Sequence, residues 1–126
     1  MIQIDWQSGI PAYDQIVQGI IRLKAVGALS PNEQLPSVRN LAVQLGVNPN
    51  TVQKSYLILE SKGIIYSVAG KGSFLADTEE ADLAVKNAAL ARLTQAADEA
   101  QRFGISEQEA LNAVTKSYQR GGNYHD

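Results

Sequence analysis

Between residues 11 and 26 the apolar positions Tyr13, Ile16, Val17, Ile20 and Leu23 recur every three or four residues, with Lys24 sharing the last step. That rhythm places them on one face of a helix. Pro11 suits the first turn, where a missing N–H costs nothing, and Gly27 suits a left-handed end. Ahead of this helix, Ile2 and Ile4 alternate with polar neighbours, as in a very short strand or an extended arm. Behind it, residues 28–36 hold Pro31 and Pro36 and no helical period, so they read as a turn-rich connector.

The helical rhythm then returns twice in quick succession. Ser37 is a good N-cap for a helix over 38–45, with Val38, Leu41, Ala42 and Leu45 on one apolar face and Gly46 as its stop. Two residues on, Asn48 can cap a second helix with Pro49 in its first position. Its expected inner face is Val52, Tyr56, Leu57 and Leu59, and Gly63 ends it. Two short helices across a tight turn make a helix-turn-helix. The pattern next turns strand-like at Ile64–Val68 and Ser73–Leu75, around the tip Ala69-Gly70-Lys71-Gly72. A hairpin in that place makes the unit a winged helix.

From residue 77 the chain is helical again. Glu79, Glu80 and Asp82 crowd a helix start, where acids favour the dipole, so they need no metal to explain them. Residues 79–103 are rich in Ala, Leu, Gln, Glu and Arg, and Gly104 interrupts them. Ser106-Glu107-Gln108-Glu109 is a capping box for a last helix with Ala110, Leu111, Val114 and Tyr118 as its apolar positions. The fold class is therefore mainly α with one small β-hairpin. Its parts are a winged helix-turn-helix domain over 1–76, a two-helix dimerisation or effector region over 77–120, and a frayed, flexible tail over 121–126.

Charge sharpens this division. The chain carries a net −2, which looks wrong for a nucleic-acid partner until its distribution is read. Residues 22–75 hold six bases against two acids, whereas residues 76–126 hold nine acids against five bases. A polyanion-binding part belongs in the basic middle. The absence of cysteine excludes disulfides, thiolate metal sites and thiol catalysis. No apolar run approaches the ~18 residues of a membrane span, and the N-terminus does not resemble a signal peptide, so a cytoplasmic protein is expected. An enzyme is the least favoured class. His125 stands alone near the terminus, and Gly70-Lys71-Gly72-Ser73 lacks the strand-to-helix context of a phosphate loop. No cofactor is implied.

The motifs Gly27-Ala28-Leu29-Ser30-Pro31, Leu35-Pro36-Ser37-Val38-Arg39, Leu41-Ala42, Leu45-Gly46-Val47 and Asn50-Thr51-Val52 carry a resemblance to a known family. So do Tyr56, Leu59-Glu60, Gly63-Ile64-Ile65 and Gly70-Lys71-Gly72-Ser73-Phe74, with Ile4-Asp5, Ser8, Pro11, Tyr13 and Gln15-Ile16 upstream. Together they resemble the N-terminal domain of the GntR family of bacterial transcription factors, across roughly the first 75 residues. The short helical remainder is similar in length to the YtrA subfamily, as is Asn48-Pro49-Asn50-Thr51-Val52. Asn32 replaces the glycine common in the family's Pro-Gly-Glu turn, and asparagine tolerates the left-handed backbone that turn needs. The resemblance implies a DNA-binding regulator, a short dimerisation tail, and an arginine at position 39 that reaches DNA.

Helix-turn-helix docking puts the start of the second helix into the major groove. Asn50, Thr51, Gln53 and Lys54 are the outward positions there, and amides, a hydroxyl and an ammonium can read base edges or phosphate. Asn48 belongs with them at the cap. Arg39 offers a forked donor for guanine or phosphate, against the alternative of an ion pair with Glu60. Ser37 caps, and the helix end it caps would favour a phosphate. At the wing tip, Gly70 and Gly72 allow close backbone approach and Lys71 supplies charge, although a tight hairpin needs glycines anyway. Trp6 and Tyr13 read as packing residues. Leu83, Leu90, Leu93 and Ala97, flanked by Ala89 and Ala100, form a stripe that with Leu111, Val114 and Tyr118 is expected to pack across a two-fold axis. The alternative for this stripe is packing back on the chain's own first helix.

The expected function is thus a dimeric repressor on an inverted-repeat operator, by subfamily analogy that of its own operon encoding an ABC transporter. Two alternatives stay open: a sensor with a small-molecule effector at the dimer interface, and a winged helix used for protein contacts.

Overall fold

The computed structural model describes residues 2–124. Five helices and one hairpin follow in the order α1 (Ala12–Ala25), α2 (Val38–Leu45), α3 (Pro49–Ser61), β1 (Ile65–Val68), β2 (Gly72–Leu75), α4 (Glu79–Arg102) and α5 (Glu107–Tyr124). They divide into two compact units, Met1–Asn87 and Ala88–Asp126.

Within the first unit, α3 is the centre, with α1 and α2 both packed on it. Its inner stripe is Val52, Ser55, Tyr56 and Leu59, all buried. That is an i, i+3, i+4, i+7 series, the spacing of one helix face. Leu57 was expected inside and is not: it is 56% exposed. One helical step of about 100° from Tyr56 carries it off the stripe. Ile16, Val17, Ile20 and Ile21 from α1 and Leu41 and Ala42 from α2 complete the helical core, together with Ile64, just before the hairpin, and Ile65 and Leu75 within it. Each such side chain contributes roughly 1.5–3 kcal/mol on burial.

Among the described residues, Ser55 is the one buried polar side chain in this core. Its hydroxyl donates to the Tyr13 carbonyl at 2.9 Å, with the Thr51 carbonyl at 3.0 Å, so α3 is tied to the start of α1 without an orphaned group. The arm before α1 forms no strand: it has no regular structure over residues 2–5 and turns at residues 6–8. Ile2 lies so close to Gly19 that any Cβ there would meet it at 2.9 Å. Further along, the Gln15 amide fixes the arm by accepting from the Asp5 N–H at 2.8 Å and donating to the carbonyls of Asp5 and Ile10, both at 2.9 Å. This looped arm leaves Trp6 68% exposed, so it is not the packing residue the sequence suggested.

The connector between α1 and α2 is more than a turn. Leu35 N–H donates to Ser73 C=O at 2.8 Å, Leu75 N–H to Glu33 C=O at 2.9 Å, and Asn32 N–H to Leu75 C=O at 2.9 Å. It therefore lines the free edge of β2 like a short third strand. A segment without alternating hydrophobicity gives no sequence sign of this, because the pairing is carried by backbone groups. Asn32 takes a left-handed φ of 63°, as the turn requires.

The first unit also reaches past the expected boundary at residue 76. Ala76 N–H donates to Ile64 C=O, and Ala81 is fully buried. The Lys24 ammonium, with its side chain 9% exposed, meets the Ala76 carbonyl at 3.1 Å and the Asp82 carboxylate at 3.3 Å. These contacts make the first turns of α4 part of the first unit. In the second unit, the capping box forms as expected: Ser106 Oγ accepts from Glu109 N–H at 3.1 Å and the Glu109 carboxylate accepts from Ser106 N–H at 3.1 Å. The Ser106 N–H first, and then the Ser106 hydroxyl, hold the Glu109 carboxyl below the ordinary carboxylate range. Helix α5 does not end near residue 120 but runs on through Tyr124, since a glycine pair lowers helix propensity without forcing a stop. Of the expected tail, residues 125–126, including His125, lie outside the described residues.

Candidate nucleic-acid interface

The residues with recognition chemistry sit at helix starts, and local capping decides what each one has free. Asn48 spends its Oδ1 accepting the Asn50 N–H at 2.8 Å, which leaves its NH2 group available. Ser37 Oγ accepts the Asn40 N–H at 3.1 Å and so serves α2 first. Asn50, Gln53 and Lys54 are exposed on α3, opposite the buried stripe. Thr51 is half-buried, because it flanks Val52 and Ser55, so it presents less to solvent than expected.

Two aromatic rings position this face. The Lys54 ammonium lies over the Tyr13 ring, 3.7 Å from its centroid, an arrangement worth about 0.5–1 kcal/mol at an exposed site. Tyr13 thereby becomes a perch for a cation. Tyr56, at the centre of α3, donates its hydroxyl to the Pro36 carbonyl at 2.6 Å. That bond fixes α3 against the residue immediately before the Ser37 cap, and so fixes the start of α2 beside it. Burial pushes the Tyr56 hydroxyl up to about 12 from its ordinary 10.

Arg39 stands in the first turn of α2 and is exposed. It makes no ion pair with Glu60; among the described residues the ion pair present is Lys24 with Asp82. Its guanidinium is therefore free to meet a ligand.

The wing is a hairpin in the register Ile65–Leu75, Tyr66–Phe74, Ser67–Ser73 and Val68–Gly72. Tyr66 and Phe74 stack at 5.5 Å between centroids, and the Tyr66 hydroxyl reaches Asn32 Oδ1 at 3.0 Å. At the tip, Lys71 N–H donates to Val68 C=O at 2.9 Å. Gly70 sits third in that turn with φ of 76°, a place where a side chain would be strained. Gly70, Lys71 and Gly72 are all exposed.

Residues 12–75 match the bacterial regulatory proteins of the gntR family. The chain belongs to the GntR family. As a GntR protein it is a transcriptional regulator with a winged-helix DNA-binding fold. It is 43% identical over 83 residues to the transcriptional repressor YtrA of Bacillus subtilis, a stretch covering 66% of this chain and 64% of that repressor. Its structure is similar to that of a GntR family transcriptional regulator from Listeria monocytogenes, with a TM-score of 0.74, 32% identity, and coverage of 88% of this chain and 98% of that one. It is also similar to the DNA-binding domain of AraR solved in complex with an operator, with a TM-score of 0.55, 29% identity, and coverage of 59% and 94%. These relatives are regulators of transcription and not enzymes.

The sequence missed three residues that support this candidate interface. Ser55 could have been found, since it falls on the i, i+3, i+4, i+7 stripe with Val52, Tyr56 and Leu59. The Tyr13 perch and the Gln34 side chain, which reaches the wing tip, join residues 41 and 37 positions apart and leave no local pattern.

Proposed function

We propose that this GntR regulator is a cytoplasmic, dimeric repressor whose α3 reads the major groove of an inverted-repeat operator. The observation that carries the reading is the two-sided character of α3: Val52, Ser55, Tyr56 and Leu59 are buried, while Asn50, Gln53 and Lys54 stand exposed at its N-terminal half. Asn50 and Gln53 amides match the N6/N7 edge of adenine, and Lys54 and Arg39 match guanine or phosphate. Ser37, Asn48 and Thr51 support this face, and Gly70, Lys71 and Gly72 bring the wing to the backbone and minor groove.

Pairing of two chains places two such helices about 34 Å apart, one turn of DNA. It draws support from apolar side chains left uncovered in the second unit: Leu90 is 53% exposed and Leu111 52%, with Leu93, Val114 and Tyr118 also open. Among the described residues of the second unit, α4 and α5 do not pack along one another. Leu83, in the first unit, is likewise exposed, and Ala97 follows the same stripe on α4. By analogy with the YtrA subfamily, the regulated promoter is its own, ahead of an ABC-transporter operon.

The test is fluorescence-anisotropy titration of promoter fragments from the chain's own locus over a salt series, with Arg39→Ala alongside. One fragment should bind tightly, with affinity falling steeply as salt rises, and Arg39→Ala should lose about 1–3 kcal/mol. Equal weak binding to every fragment, or indifference to Arg39→Ala, would contradict the proposal.

A further inference from the structure

The wing tip is held by a residue that lies outside the wing. Gln34, on the connector before α2, donates from Nε2 to the Lys71 carbonyl at 2.7 Å. Because Lys71 N–H is already bonded to Val68 C=O, both backbone groups of this lysine are engaged. Its N–H and C=O are thus both bonded, while its side chain is exposed. The two tip glycines then separate in purpose. Around Gly70 a Cβ would meet nothing within 4 Å, so that face is open. At Gly72, with φ of 117°, a Cβ would come within 2.9 Å of the Gln34 amide nitrogen, so this glycine makes room for Gln34.

The backbone beneath is already paired, with Gln34 opposite Phe74 and Leu35 N–H on Ser73 C=O. The hairpin therefore does not depend on the Gln34 side chain for its register. What that side chain adds is the angle and stiffness of the last turn. Together with Tyr66 on Asn32, it gives the wing two braces from one connector, one at the base and one at the tip.

We infer that Gln34 is a positioning residue for DNA binding, which holds the Lys71 backbone so that its ammonium meets the DNA backbone in a set register. This rests on the DNA-binding reading above. A lysine on a loose tip must be ordered as it binds, and that ordering subtracts from its contribution. The carbonyl needs a donor, so Gln34→Met, of similar length but without one, removes the brace and leaves the volume.

The experiment is a double-mutant cycle in the full-length chain, using the promoter duplex that the wild-type chain binds most tightly. Lys71→Ala alone should lower affinity roughly 3- to 10-fold and reduce the salt slope by about 0.9 for each bound chain, one phosphate contact apiece, or about 1.8 for the proposed dimer. In the Gln34→Met background, Lys71→Ala should cost less than about 2-fold, since the contact is already lost. The melting temperature of Gln34→Met should stay within about 4 °C of wild type, as expected for an exposed position. In the free protein, the amide order parameters of Gly70 and Lys71 should fall from about 0.85 toward 0.6 in Gln34→Met. Equal costs of Lys71→Ala in both backgrounds, or unchanged order parameters, would overturn the inference alone. If the wild-type chain binds no duplex at all, the DNA-binding reading fails and this inference fails with it.

Discussion

Met1–Asn87 and Ala88–Asp126 use their apolar residues in opposite ways. Every buried hydrophobic side chain among the described residues falls at or before Ala81. In the first unit three helices and a hairpin share one core, its buried hydroxyl is bonded, and the starts of α2 and α3 are capped. The second unit has well-formed helices too, with the Ser106–Glu109 box at the start of α5, yet Leu90, Leu93, Leu111, Val114 and Tyr118 all face outward. Secondary structure is thus equally well specified in both, and tertiary burial is specified in only one. A helix earns most of its stability from packing rather than propensity. A unit of this second kind calls for a partner surface, and a second copy is the occupant proposed above.

Substitutions can break this contrast, and the largest effect belongs to the open unit. Charging its apolar face, as Leu90→Asp with Leu111→Asp, should abolish pairing of chains. Losing the second, linked binding event should weaken operator affinity by about 10²- to 10⁴-fold, measured by anisotropy, with the melting of the first unit preserved. Retained affinity in that double variant would remove the open face from the account.

Next in size is the closed unit's own core. Leu59→Ala should lower unfolding free energy by about 2–5 kcal/mol in a denaturant titration, whereas Leu57→Ala, two residues away and exposed, should stay within about 0.5 kcal/mol. Equal effects would mean that the inner stripe is misplaced.

A third prediction uses pH. The Tyr56 hydroxyl titrates at about 12 in the folded chain and near 10 when unfolded. The folded state therefore holds this proton more tightly, and the associated stability is present in full below pH 10. It should be lost as pH rises from 10 to 12, by on the order of 2–3 kcal/mol. Tyr56→Phe should flatten that alkaline decline while lowering stability at neutral pH, because the Pro36 carbonyl loses its donor. An alkaline decline unchanged in Tyr56→Phe would assign it to another group.

The smallest effect lies in the open unit. Glu109 has its carboxyl held below the ordinary range, so its share of α5 stability is present above that range and is lost as pH falls through the depressed value. Glu109→Ala should remove this acid sensitivity from the helical circular-dichroism signal. Persistence of the same acid response in that variant would place its origin elsewhere.

Much of the closed unit was legible in the sequence, because its signals are local. Helical spacing, Ser37 and Asn48 at N-caps, and the Gly-Lys-Gly tip each act over a few residues, and each element appears where they place it. Leu57 was misassigned because an apolar residue beside a stripe looks like a member of it. Trp6 was misread because residue type says nothing of where an arm will lie. The connector's pairing with β2, the Lys24 contact with Ala76, and the Gln34 brace are long-range and made largely with backbone carbonyls, which every residue carries. Such contacts leave no trace in composition or periodicity. Of the recognition face, Asn50, Gln53, Lys54 and Arg39 were legible as exposed polar residues at helix starts, while the Tyr13 perch under Lys54 was not.

The most direct test of the central claim is sedimentation equilibrium of the full chain with a labelled promoter duplex at moderate salt. The account predicts one species containing two chains of 13.6 kDa per duplex, formed without a populated one-chain complex and dissociating as salt is raised. A complex of one chain per duplex, or free chains beside free DNA at low salt, would contradict it.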